Sequence, residues 1–490
     1  MARRIHYLPA LTLLLFALNG RPAWSQDTSE PPKKESIRTV QLLIDPKPEP
    51  ECALAYRLET PYMEQRPGNG ALLYDAAIAL VTQVKSKHRE IDESKLDEWL
   101  DGPLDKLPRQ DVREAIAAFE EPIHYLDLAG RCEHCTWEYP VRDEGLHCAM
   151  PLPLWGGFRV LRSVLALKAR LEMADGDVDA AIGTLRIGMS AARGIGNGPF
   201  VVQNLIGTSL ARRTLRELEG LIQTPAAPNL YWALTALPHP LLDMRRSLQM
   251  EMDAVYAELP ELRRLKKEVL SDDDVIQIWK KATTIEGSRP SNLEAAFVKI
   301  YLVAAAMKTY PKAKQYLLAR GKTTEEVESL PKLYVVLLHQ HDRNRRLCDT
   351  MLKWADVPYW QAADKLKECE ELASKGMGGD MADMDAITAV FSINTPWIRG
   401  IYLRNVFMER DLAMLRCVEA VRMYAAGHDG RLPQALSDIT EVPIPADPVY
   451  GHAFSYQVAG GKAVLESPAP PGEAARDGLR YEITIRQATR

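Results

Sequence analysis

The chain has 490 residues, 61 of them basic and 66 acidic, for a formal net charge of −5. That length suffices for a large core divided among two or three domains. The charge carries no basic run able to follow a phosphate backbone, so nucleic acid is excluded as a partner on sequence grounds.

Arg3 and Arg4 precede an apolar run from Leu8 to Leu18, followed by Asn19, Gly20 and Pro22, and then by Ala23-Trp24-Ser25. This is the pattern of a secretory signal over residues 1–25, with cleavage expected between Ser25 and Gln26. Cleavage would remove Arg3, Arg4 and Arg21 and no acid, taking the net charge to about −8. The alternative is an uncleaved signal that tethers the protein. No later stretch has spanning length, so a periplasmic or secreted protein without a membrane span is expected after signal removal.

Residues 26–36 are polar and Pro-containing, the composition of a disordered linker. The region 37–153 opens with two alternating stretches, Val40-Leu42-Ile44 and Cys52-Leu54-Tyr56-Leu58, which predict a short strand pair. Helical periodicity then begins at Asn69, a potential cap, and helices are expected over 69–87, 92–100, 109–120 and 122–131. Residues 132–153 form an irregular loop containing Cys132, Cys135 and Cys148.

A helical array is expected over 154–374. Val160, Val164, Leu167 and Leu171 form one stripe, and Ala181, Ile182, Leu185, Met189 and Ala192 another, separated by Ala174-Asp175-Gly176-Asp177. This pair, over about 158–193, resembles a tetratricopeptide unit through Gly176-Asp177-Val178, Ala181, Leu185 and Gly188, although no neighbour repeats it at a fixed period. Further helices follow at 199–222, 229–237, 240–258, 272–283, 291–309, 331–354 and 359–374. Pro228, Pro238, Pro240, Pro260, Pro290, Pro311, Pro331 and Pro358 are placed to start helices.

A Gly- and Met-rich linker is expected at 375–390. The last region, 391–490, combines a helix at 401–426 with strands at 453–458, 462–466 and 479–485, the first two joined at Gly460-Gly461. Over about 410–467 it is similar to the C-terminal module of type II secretion pseudopilins, through Arg431, Leu432, Pro433, Asp447, Pro448, Gly451, Phe454 and Tyr456. The likeness implies a helix followed by an antiparallel β-meander. Nearly 400 residues precede it, so filament assembly is not implied.

Three further stretches resemble a group of exported planctomycete proteins: Tyr56-Arg57-Leu58 before Arg66-Pro67-Gly68-Asn69, Glu133 to Trp137, and Pro228 to Leu234. That likeness implies export and no particular activity. The fold class expected is therefore mainly α, an α-solenoid-like, tetratricopeptide-like array of helical hairpins with a small C-terminal α+β module.

Candidate chemistry is concentrated in Cys52, Cys132, Cys135 and Cys148, with His134 and His147 beside them. A Cys-x-x-Cys pair can form a disulfide or hold zinc, with Cys148 and Cys52 or His147 as further ligands. In an oxidising compartment structural disulfides are the simpler reading, and the spacing is not that of a standard zinc module. Cys348, Cys369 and Cys417 lie on apolar helical faces and read as core thiols.

His339-Gln340-His341-Asp342 is the one close His pair and reads as a polar helix end, because residues two apart diverge on a helix. No catalytic motif and no cofactor motif is present, so no catalytic or cofactor-binding residue is assigned. The function expected is an exported scaffold that binds a protein or an extended ligand, for which Trp354, Tyr359 and Trp360 are candidate anchors or core residues. The alternative is a metal- or thiol-dependent enzyme or metal-binding protein centred on Cys132 and Cys135.

Overall fold

A computed structural model describes residues 36–88, 91–139, 152–225, 227–285, 292–377 and 398–486. The signal, the 26–35 part of the linker, His147, Cys148 and residues 378–390 lie outside the described residues.

In chain order the elements begin with β1 (Arg38–Ile44), β2 (Arg66–Asn69), α1 (Gly70–Lys87), α2 (Glu93–Asp101), α3 (Arg109–Ala117), α4 (Glu120–Gly130) and β3 (Cys132–His134). There follow α5 (Leu152–Asp175), α6 (Val178–Gly196), α7 (Val201–Leu221), α8 (Tyr231–Thr235), α9 (Arg245–Glu258), α10 (Asp272–Ile285) and α11 (Asn292–Leu318). The chain closes with α12 (Thr324–Glu328), α13 (Lys332–Ala355), α14 (Tyr359–Met377), α15 (Ile398–Gly427), β4 (Ser455–Ala459), β5 (Lys462–Ser467) and β6 (Leu479–Ile485). The fold is mainly α, with a four-stranded mixed sheet and a two-stranded parallel pair, β2-β3. No helix among the described residues is long and apolar enough to cross a membrane.

Two compact units divide the chain. One is built on Arg245–Tyr402; the other gathers Thr28–Trp137, Pro151–Met244 and Leu403–Arg490. The second unit thus joins the two ends of the sequence, which linear reading kept in separate regions.

In the second unit the α5–α6 turn forms as its residues dictate. Gly176 takes φ +82, a conformation that a Cβ disfavours, and the Asp177 carboxylate accepts from the Ala180 amide at 3.0 Å to cap α6. Both stripes are buried, but α5 is covered on more than its stripe: Leu161, Leu165, Ala166 and Ala169 are buried as well. The reason is that α1, α2 and α3 pack onto α5 while α6 and α7 cover the rest. Asn69 caps α1 as expected, its side chain accepting from the Ala71 amide.

The strand pair expected between 40–44 and 52–58 does not form. β1 is real, but it pairs in parallel with β6, Arg38 opposite Leu479 through Ile44 opposite Ile485, while residues 51–56 are turns. The β4–β5–β6 meander is antiparallel, and β1 extends it to the order β1-β6-β5-β4. Leu42, Ile44, Tyr481 and Ile483 are buried, so the alternation in β1 had a partner more than 430 residues away. The outer edge of β1 is closed by Gln223, whose side-chain oxygen accepts from the Leu43 amide at 3.2 Å. Within the meander Asp447 accepts from the Val449 amide at 2.8 Å and from the Ser467 hydroxyl at 2.6 Å, and the Tyr456 hydroxyl donates to Pro433 O at 3.1 Å.

In the unit built on Arg245–Tyr402, Leu262, Leu265, Val275, Trp279, Ala313, Val327 and Val335 share one core, contributed by α10 to α13 and the turns before them. Pro311 departs from the expectation that each proline starts a helix: it sits inside α11. Tyr359 is a core residue here, its ring 5.8 Å from that of Tyr402, whereas Trp360 is 47 % exposed and Trp354 is half-buried under Lys353. Only Trp360 of these three keeps the exposure an anchor needs.

Candidate functional site

The Cys132–Trp137 segment is positioned from two sides. β3 pairs in parallel with β2, and the Asn69 side chain holds Thr136 through its backbone, donating to Thr136 O at 2.7 Å and accepting from Thr136 N at 2.9 Å. From the other side the end of α6 receives the segment: Trp137 Nε1 donates to Gly194 O at 2.8 Å and Cys135 Sγ to the same oxygen at 3.1 Å. Tyr74 stacks on Trp137 with ring centroids 6.3 Å apart, and its hydroxyl donates to Ser190 O at 3.1 Å. Gly194 is required here, since a Cβ would lie 2.4 Å from the Tyr74 ring.

This environment sets the state of the thiols. Burial, then the neighbouring Cys132 and Asp75, push the Cys135 thiol up to about 12. Burial also raises Cys132, against the pull of Arg66. Cys132 Sγ donates instead to Leu128 O at 3.5 Å, so the two sulfurs serve different carbonyls. Among the described residues the cysteines are free thiols, with Cys52 exposed and Cys348, Cys369 and Cys417 buried. No group of three His, Cys, Asp or Glu side chains suited to a metal is found among the described residues.

A fully buried ion pair in this unit was not recognised from the sequence. Arg422 and Glu419, three residues apart on α15, are both fully buried. Arg422 donates to Glu419 Oε1 and Oε2 at 3.0 Å each, to Asp45 O at 3.1 Å, to Pro228 O at 3.1 Å and to Ala227 O at 3.0 Å. Asn229 donates to Glu419 O at 2.8 Å, and the Lys47 amide to Arg422 O at 3.1 Å. Burial raises the Glu419 carboxyl, and Arg422 opposes that rise. Two separated stretches of chain, at Asp45 and at Ala227-Pro228, are pinned to α15 by one guanidinium. A Glu–Arg pair at i,i+3 inside the run Cys417-Val418-Glu419-Ala420-Val421-Arg422-Met423 was the available signal.

Two turns before Glu419 on α15, Asp411 accepts from Arg410 at 2.8 Å and from Arg212 at 3.1 Å. Burial works against its charge, but Arg212 and Arg410 outweigh it and hold the carboxyl low. Glu219 of α7 is taken by Arg38 of β1 and by the Tyr481 hydroxyl of β6, the latter at 2.7 Å.

In the other unit, the reading of His339 to Asp342 as a polar helix end is overturned. These residues lie in the middle of α13, and His339, Gln340 and His341 are buried. The Tyr256 hydroxyl is 2.9 Å from His341 Nε2, and Asp342 is 3.4 Å from His341 Nδ1 and 3.2 Å from Lys266. The His341 hydrogen bond lowers Asp342 to about 2, with Lys266 assisting. His339 packs edge-on to Tyr316 with centroids 4.7 Å apart, its Nδ1 without a hydrogen-bond partner. Burial, then Lys312, Arg343 and Arg346, bring His339 down to about 4. The two histidines diverge, as their spacing requires, each to a different tyrosine.

No protein-family model, curated protein or solved structure matches the chain.

Proposed function

We propose that this protein is an exported helical scaffold that binds another protein, and that the binding surface includes the turn at Tyr62 and Met63. One observation carries the reading: Tyr62 is 83 % and Met63 90 % exposed, and Leu72, ten residues from Tyr62, is 71 % exposed. The turn bearing them is held in place. Glu64 meets Arg186 at 3.4 Å and Arg131 at 4.0 Å, Thr60 donates to Gly130 O at 2.9 Å, and the Arg66 amide donates to Arg131 O at 2.8 Å.

A preordered apolar turn loses little conformational freedom on association. Tyr and Met are enriched at protein interfaces, and burying each such side chain contributes about 1.5–3 kcal/mol. The alternative, metal or thiol chemistry at Cys132 and Cys135, requires thiolates, which burial of both sulfurs disfavours.

A photo-crosslinking residue in place of Met63, introduced into the full chain in its native host, tests the reading. It is supported by a single crosslinked protein adduct that a Tyr62→Ala change abolishes. The absence of any adduct at position 63, with the chain folded and exported, refutes it. N-terminal sequencing of the mature protein, expected to start at Gln26, tests export.

A further inference from the structure

In the unit built on Arg245–Tyr402, one face of the packed α11–α13 pair gathers cations around a single aromatic ring. Lys312, Tyr316 and Arg320 are spaced four apart along α11 and the turn that closes it, so they form one stripe. His339, Arg343 and Arg346 form the matching stripe on α13. Tyr316 joins the two. The guanidinium carbon of Arg320 lies 4.5 Å from the centre of its ring and that of Arg346 4.8 Å, with the His339 ring at 4.7 Å. Arg346 also donates to the Tyr316 hydroxyl.

These cations meet neutral acceptors and no carboxylate. Besides Tyr316, Arg346 donates through Nε to the backbone oxygen of Asp342 at 3.1 Å, while the Asp342 carboxylate is turned to His341 and Lys266. Neighbouring cations do find acids, Lys314 pairing with Glu328 and Arg345 with Asp349. Lys312, Arg320, Arg343 and Arg346 are exposed, and none of them forms an ion pair among the described residues. His339 lies behind them, 6 % exposed and with Nδ1 unpartnered. After burial, the charges of Lys312, Arg343 and Arg346 oppose its protonation, with Asp342 acting the other way.

We propose that this face binds an acidic segment of a partner protein, Arg320 and Arg346 taking its carboxylates with Lys312 and Arg343 beside them. Stacking on Tyr316 orders the two guanidinium groups without neutralising them, and leaves planar donor edges that suit carboxylates. Donors ordered in advance lose less freedom on binding. From Lys312 to Arg320 the stripe runs roughly 12 Å along the helix axis, a spread that suits several carboxylates on one segment better than a single anion. The face is independent of the turn at Tyr62 and Met63, and neither reading depends on the other.

Fluorescence anisotropy of a labelled peptide of about ten glutamates, titrated with the full-length protein at an ionic strength of about 0.15 M, tests this. Saturable binding is expected, lost in molar salt and weakened at least about tenfold by Arg320→Gln combined with Arg346→Gln. Lys312→Gln combined with Arg343→Gln, which breaks no hydrogen bond or ion pair among the described residues, should weaken it too and guards against a folding defect in the first pair. Arg109→Gln combined with Arg113→Gln removes the same charge from arginines already paired with Asp175 and should bind as the parent does. The proposal is overturned if no saturable binding is seen, if either α11–α13 pair, folded by circular dichroism, binds as the parent, or if the Arg109 and Arg113 changes weaken binding equally. Vesicles of phosphatidylglycerol that bind through the same four cations while the peptide does not would assign the face to an anionic membrane and overturn it as well.

Discussion

Replacing Arg422 with Met tests the account of the buried pair on α15. The substitution keeps much of the apolar stem but removes the donors to Asp45 O, Ala227 O, Pro228 O and the Glu419 carboxylate. Glu419 is then left buried without its cation, a situation that costs about 3–5 kcal/mol. The three carbonyls that lose a donor add to this wherever water does not replace it. Equilibrium urea unfolding at pH 7 should show a loss of at least about 3 kcal/mol, with hydrogen exchange rising at residues 45–47 and 227–229.

The pH dependence supplies a second check. Without Arg422, burial raises the folded-state pKa of Glu419 further above its unfolded value. A carboxyl raised on folding contributes most below its unfolded pKa and loses that contribution as pH rises through the folded pKa. Arg422→Met should therefore be less destabilised at pH 5 than at pH 8. Adding Glu419→Gln should recover part of the loss at pH 8 and remove the pH difference. A single variant within about 1 kcal/mol of the parent, or one equally destabilised at both pH values, would refute the role given to the pair.

His339 is 6 % exposed with a pKa lowered to about 4, so the unfolded chain takes up its proton first as pH falls. The unit built on Arg245–Tyr402 should lose about 2–3 kcal/mol between pH 6.5 and 4, with the stability fully present above 6.5; His339→Phe should flatten that loss in acid titrations followed by circular dichroism. Gly194→Ala forces a Cβ against Tyr74 and should cost about 1–3 kcal/mol, with a changed near-ultraviolet dichroism from the Tyr74–Trp137 stack; an unchanged spectrum and stability would contradict the packing described. Among the described cysteines, a thiol reagent at pH 8 should modify Cys52 promptly and Cys135 and Cys417 only after denaturation, as peptide mapping of the labelled chain would show.

Local signals in the sequence determined the elements whose causes are local. The α5–α6 turn was legible because Gly176 and Asp177 act within one turn of themselves, and α1 because Asn69 caps it from the adjacent position. The meander was legible from alternation and from Gly460-Gly461. Alternation in 40–44 identified a strand but not its partner, because period two records a buried face and carries no information on which edge it meets.

The same limit governs the polar groups. Charged residues read as solvated until the fold encloses them, so nothing in the sequence analysis singled out Glu419 and Arg422, and His339 to His341 read as a helix end. Tertiary structure alone brings Arg38 and Tyr481, more than 440 residues apart, to the one Glu219 carboxylate. It also decides that Cys135 faces Gly194 O within a buried corner. Helix and turn formation are set by neighbours in sequence, whereas burial, pairing and charge are set by neighbours in space, which only the folded chain assembles.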